Sequence, residues 1–75
     1  MRWECSLFSI LSEFREEAQQ LIKTGDEYAL CDLYDTYAEE AQTAFNAADA
    51  AWFMEELLKV FETARHLMLT RMLAA

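Results

Sequence analysis

The sequence predicts an all-α protein: a small three-helix up-down-up bundle that pairs into a homodimer. Three observations predict it. Ala, Leu, Glu, Met, Gln, Lys and Arg, the strong helix formers, supply 45 of the 75 residues, whereas Val and Ile together number three. Proline is absent and there is one glycine, so the chain has few places to turn and favours a few long helices over many short strands. Apolar residues recur at spacings of three and four along three successive segments, the period of a one-faced helix. The length allows a single domain over residues 1–75, and an apolar content of 55% is too high for a disordered tail.

The first helix is expected over about residues 6–24. Leu7, Leu11, Phe14, Ala18, Leu21 and Ile22 fall within one narrow arc, with Ile10 and Phe8 at its two edges. Glu13, Glu16, Gln19, Gln20 and Lys23 take the opposite side. Gly25 stands where a stop is needed and suits the left-handed position just past a helix end. Thr24-Gly25-Asp26-Glu27 also reads as a capping box, a hydroxyl at the N-cap with a carboxylate three residues on. Either reading puts a short turn here, and helices joined by short turns pack antiparallel.

The second helix is expected over about residues 26–45. Its buried arc holds Leu30, Leu33, Tyr34, Tyr37, Ala38, Ala41, Ala44 and Phe45, with Cys31 at the margin. Asp32, Asp35, Thr36, Glu39 and Thr43 lie opposite, Tyr28 beside them and Glu40 at the edge. No glycine or proline marks the next boundary. Asn46-Ala47-Ala48-Asp49 reads as an N-cap followed by an acidic residue. Phase supports a break there. Were one helix to run from Asp26 to Leu73, the apolar arcs of its two halves would lie on roughly opposite sides. The alternative is such a long helix, buried on both sides in an oligomer.

The third helix is expected over about residues 47–73. Its apolar residues, from Phe53 and Met54 to Met72, cover roughly 200° of its circumference, wider than the stripe a surface helix needs. A chain of this length buries only about 60–65% of its unfolded surface. Two thin neighbours are not expected to cover so broad a face. The excess lies toward the C-terminal end, and Leu67, Met68, Leu69 and Met72 are the expected dimer or partner-helix face, with Leu73 beside them. The competing arrangement folds this last turn over Trp3 and Phe8 within one chain.

Little in the sequence carries catalytic chemistry. His66 is the only histidine, and no local pattern sets it beside a serine or cysteine nucleophile. Cys5 and Cys31 are too few for a disulfide scaffold and read as free thiols in a reducing cytoplasm. Glu62 and His66 at i,i+4 could approach one metal ion, but a dimetal bundle needs Glu-x-x-His pairs and further glutamates. No glycine-rich loop exists to cradle a phosphate. The expectation is a non-enzymatic protein with no cofactor and no metal. No signal peptide is expected, since Glu4 interrupts the apolar run at the start, and no stretch is long enough to span a bilayer.

Charge is the informative feature. The net charge is −8, which argues against direct binding to nucleic acid or an anionic membrane. It is also concentrated: residues 24–46 carry six acids and no base, while the segments on either side each carry four acids and three bases. From Asp26 to Glu40 the helix axis runs about 21 Å, one carboxylate per ~3.5 Å, close to the DNA phosphate repeat of about 3.4 Å. Like charges such as Asp32, Asp35 and Glu39 repel along the helix. A solvated face that keeps the protein soluble is one reading. The other is a field displayed to a basic partner, with Tyr28, Asp32, Asp35, Glu39 and Glu40 as the binding residues. Trp52 falls on the polar side of the third helix, either as a second exposed aromatic or packed against the ends of the other two.

In size, charge and helicity the chain is similar to small phage-encoded antagonists that act as nucleic-acid mimics. That resemblance implies an inhibitor or adaptor, phage-encoded, that docks its acidic helix on a basic, nucleic-acid-binding surface of another protein. The alternative function is a homodimeric chaperone or assembly subunit that holds a partner helix on the apolar face of the third helix.

Overall fold

The computed structural model describes residues 7–74, excluding the side chains at positions 72 and 74. Cys5, Trp3 and the Met72 side chain, named above, therefore lie outside the described residues. All elements among the described residues are helical: α1 (Leu7–Thr24), α2 (Glu27–Ala44) and α3 (Ala47–Ala74). The bounds agree with those expected to within one residue at each end, and the reasons lie in the two turns.

At the first turn Gly25 adopts φ 73, the left-handed conformation that a side chain resists. The amides of Gly25 and Asp26 both donate to the Leu21 carbonyl, at 2.8 and 3.4 Å, which closes α1. Asp26 then caps α2 by accepting from the Ala29 amide at 3.0 Å. The capping box read at Thr24 is therefore corrected. Gly25 keeps Thr24 inside the last turn of α1, where its hydroxyl donates back to the Leu21 carbonyl at 3.0 Å.

At the second turn Phe45 is extended, with φ −110 and ψ 158. The Asn46 side chain accepts from the Asp49 amide at 2.8 Å and so caps α3. The helix breaks where the two apolar arcs fall out of phase, and the long-rod alternative is removed.

Contacts between rings and small side chains fix the directions. Phe14 meets Tyr37 at 5.1 Å and Phe45 meets Phe53 at 5.4 Å, so successive helices run antiparallel. Phe8 meets Trp52 at 5.3 Å, so α1 and α3 start at the same end. The core has two parts. Ile10, Phe14, Tyr37, Phe53 and Leu57 form the larger, aromatic part. Ala18, Leu30, Ala64 and Met68 form a smaller one near the α1–α2 turn.

The breadth of the α3 apolar face has a cause inside the chain, because α3 packs against both other helices. Phe61 leans on Tyr34 of α2 at 4.8 Å, while Val60 and Ala64 line a groove with Ala18 of α1. Met68 is 1% exposed and belongs to the core, which takes it off the expected dimer face. Leu67, Met68 and Leu69 are consecutive, so successive side chains point about 100° apart and cannot share one surface. Leu67 lies beside α1, whereas Leu69 and Leu73 are exposed on another side. Trp52 is half-buried against Phe8 and the core rather than displayed. Phe8 sits at that end of the bundle and does not cover the C-terminal turn of α3. Cys31, placed at the margin of the buried arc, is exposed.

With 28 residues against 18 in each neighbour, α3 is about 15 Å longer than either. The longest dimension of the molecule is 42 Å, in keeping with a 28-residue helix at about 1.5 Å per residue. No helix among the described residues is long and apolar enough to cross a membrane.

Candidate protein-binding face

The six acids of residues 24–46 separate into two groups. Asp26 and Glu27 have structural roles. Asp26 caps α2, and Glu27 accepts from the Arg65 Nε of α3 at 2.7 Å, tying the two helices together across 38 positions of sequence. The hydrogen bond from Arg65 to Glu27, and the attraction between them, raise the guanidinium pKa further above its ordinary value.

Asp32, Asp35, Glu39 and Glu40 form the second group. All four are exposed, and none makes an ion pair among the described residues. The hydroxyls beside them are turned inward. Thr36 donates to the Asp32 carbonyl at 2.9 Å and Thr43 to the Glu39 carbonyl at 3.0 Å, so neither neutralises a carboxylate. On the helical wheel Tyr28, Asp32, Asp35 and Glu39 fall within an arc of about 60°, over about 16 Å of axis. Glu40 lies outside that arc, toward α1. Tyr28 is 88% exposed at the N-terminal end of the stripe. The structure thus keeps four of the five expected binding residues together, with Glu40 on the adjoining flank.

One acidic contributor was not read from the sequence. Glu17 of α1 accepts a 2.6 Å hydrogen bond from the Tyr37 hydroxyl. It lines a groove of about 480 Å³ between α1 and α2, with Gln20 and Leu21 on its own side and Asp32, Leu33 and Thr36 opposite. The signal was present in Tyr37: a tyrosine within a buried arc brings a hydroxyl that needs an acceptor. The acidic surface therefore extends from the α2 stripe onto the neighbouring helix.

Such a surface accepts hydrogen bonds from cationic groups. Carboxylates of this kind make short, charge-assisted bonds to Lys and Arg, and a nearby phenol adds a flat apolar contact. No three His, Cys, Asp or Glu side chains among the described residues come together as a metal site would require. Glu62 and His66 are both exposed on the outer side of α3. The chain matches no protein-family description, no curated protein and no solved structure.

Proposed function

We propose that this protein is a non-enzymatic binding protein, an inhibitor or adaptor, that docks the outer face of α2 on a basic surface of another protein. The observation that supports the reading most is the set of four carboxylates left without a cation while Arg65 is committed to Glu27. Repulsion among like charges one turn apart costs a few tenths of a kcal/mol per pair. A single lysine at Thr36 or Thr43 would relieve it, so the fold retains a cost that serves no packing purpose. An unpaired acidic face of this kind suits a basic surface that normally holds nucleic acid, and such mimicry accords with a phage-encoded antagonist.

The test is capture from a lysate of the native host by immobilised protein, comparing wild type with the triple variant Asp32→Lys, Asp35→Lys, Glu39→Lys. The expected result is a basic partner held by the wild type, released as salt screens the contact and displaced by duplex DNA, and absent from the variant at unchanged helix content. Retention of the same partner by the variant would refute the reading.

A second reading has its own support in Leu69 and Leu73, exposed on the turns of α3 that run past α1 and α2. There the protein is an assembly subunit or chaperone that holds a partner helix on an apolar surface. It predicts capture that tolerates salt and is lost in Leu69→Asp, Leu73→Asp.

A further inference from the structure

The groove between α1 and α3, on the flank away from α2, carries its charged and apolar groups at opposite ends. Phe8 meets Trp52 at 5.3 Å, and the two helices run side by side in the same direction. Seven residues further along each, Arg15 and Lys59 stand level on facing walls of the groove. Beyond them the floor is aliphatic, made by Ala18, Ile22, Val60 and Ala64, and it ends at Leu67, which is 48% exposed. From the two cations to Ile22 and Leu67 the groove runs about 10–12 Å along the helix axes.

The charges here do not balance. Two of the six bases in a chain of net charge −8 line this groove, with Glu56 as its acid. Glu56 bonds to Lys59 at 2.9 Å. Arg15 makes no ion pair among the described residues. Facing cations repel, and one positive charge is left uncompensated beside an apolar floor. The acids of α2 do not supply the missing charge. The bundle is 18 to 20 Å across, and the Debye length at physiological salt is about 8 Å.

We propose that this groove binds a free single-chain carboxylate, a fatty acid of medium length, with its headgroup between Arg15 and Lys59 and its chain along the floor toward Leu67. Charge complementarity sets the headgroup. One uncompensated cation matches a monoanion, and a guanidinium donates two parallel hydrogen bonds to a carboxylate. The length of the groove sets the chain. Carbon–carbon bonds of about 1.5 Å in a zigzag advance about 1.25 Å each, so about eight to ten carbons fill it. The volume sets the number of chains. It is about 350 Å³, near the lower end of the range of about 300–1,000 Å³ for small-molecule sites, and a two-chain lipid exceeds it. A docked protein would need about 800 Å² from this side, more than a groove two turns long offers. This inference stands independently of the docking function, since the acidic face of α2 takes no part in it.

The experiment is a heteronuclear NMR titration of the full chain with hexanoate, octanoate and decanoate at about 0.15 M salt. The expected result is saturable binding of one decanoate per chain, with amide shifts confined to the residues that line this groove. Affinity is expected to rise about fourfold for every two carbons, half the free energy that full burial of the added chain would give. Octanol, which has the chain without the charge, is expected to bind at least about tenfold more weakly than octanoate, and Arg15→Gln to weaken octanoate by a similar factor. Both Arg15 and the head of the groove are at the surface, so this variant keeps its helix content by circular dichroism. Asp32→Lys, Asp35→Lys, Glu39→Lys serves as the control and is expected to bind decanoate as the wild type does. Absence of saturation at millimolar decanoate overturns the proposal, as do shifts centred on Leu69 and Leu73, octanol binding as tightly as octanoate, or unchanged affinity in Arg15→Gln.

Discussion

On one flank of α1, Glu17 shares a groove with Asp32 of α2, and no cation lines it; on the other, Arg15 and Lys59 stand above an apolar floor. Residues 15 and 17 are two positions apart, so about 200° of rotation separates their side chains. That rotation is enough to divide the molecule. α1 is a partition, with acids and no cation lining the groove on its α2 side, and two cations and one acid lining the groove on its α3 side. Net charge alone describes neither. A chain of −8 spread evenly would be soluble but would offer no place for a second protein to approach at close range. Separation lets one face display charge and leaves another available for apolar contact.

The most damaging way to break this contrast is to remove the packing on which both flanks rest. Met68 is buried against Ala18, Leu30 and Ala64, in the part of the core where all three helices meet. Two of those neighbours are alanines, too small to move into a vacated space. Met68→Ala is expected to cost about 2–5 kcal/mol, measured by chemical denaturation, and Met68→Leu less than about 1.5 kcal/mol. Domains of this size have about 3–5 kcal/mol in all, so the alanine variant should be largely unfolded. If Met68→Ala proves neutral, the end of α3 does not pack on α1 and α2, and the groove beside Arg15 is not a formed feature.

The next largest effect belongs to the acidic flank alone. Tyr37 keeps its ring against Phe14 while its hydroxyl reaches Glu17 at 2.6 Å. Tyr37→Phe preserves the ring contact and removes the donor. The bond is partly buried and has a carboxylate acceptor, so a loss of about 1–2 kcal/mol is expected, below the figure for a fully buried charged bond. The same variant should leave the mass in solution unchanged, because the α3 side of α1 is not involved. A shift in self-association in Tyr37→Phe would show that the two flanks are coupled.

Much of this division was legible in the sequence, and the parts that were not share a physical cause. The helix bounds followed from local rules: Gly25 for one turn, and Asn46 together with the phase of the apolar arcs for the other. The acidic stripe of α2 followed from the wheel. The cap at Thr24 was left open because a hydroxyl next to a glycine suits either helix, and only the backbone angle at Gly25 decides between them. Met68 was misplaced because a broad apolar face does not reveal which of its residues a neighbour covers. The Glu27–Arg65 and Glu17–Tyr37 contacts, 38 and 20 positions apart, depend on which helix faces which, information that no local pattern contains.

The smallest expected effect gives the sharpest sign. Lys59 sits on the nearly neutral flank, and its hydrogen bond to Glu56, with the attraction between them, raises its pKa above the ordinary 10.5. A cation whose pKa is raised on folding contributes stability that is fully present below 10.5 and is lost as pH climbs through the higher folded value. The pair is at the surface, so the contribution is small and salt screens it. Lys59→Gln should therefore unfold at slightly lower denaturant than wild type near neutral pH and low salt. The gap should close both at high salt and above pH 10.5. On the α2 side salt acts in the opposite direction, since Asp32, Asp35 and Glu39 repel and screening relieves them. Neutralising those three as Asp32→Asn, Asp35→Asn, Glu39→Gln should raise stability at low salt by a few tenths of a kcal/mol per repelling pair, a gain that salt removes. Two variants, one on each flank, with salt responses of opposite sign would show that the separation of charge across α1 exists in solution; responses of the same sign would mean that the flanks share a single averaged field.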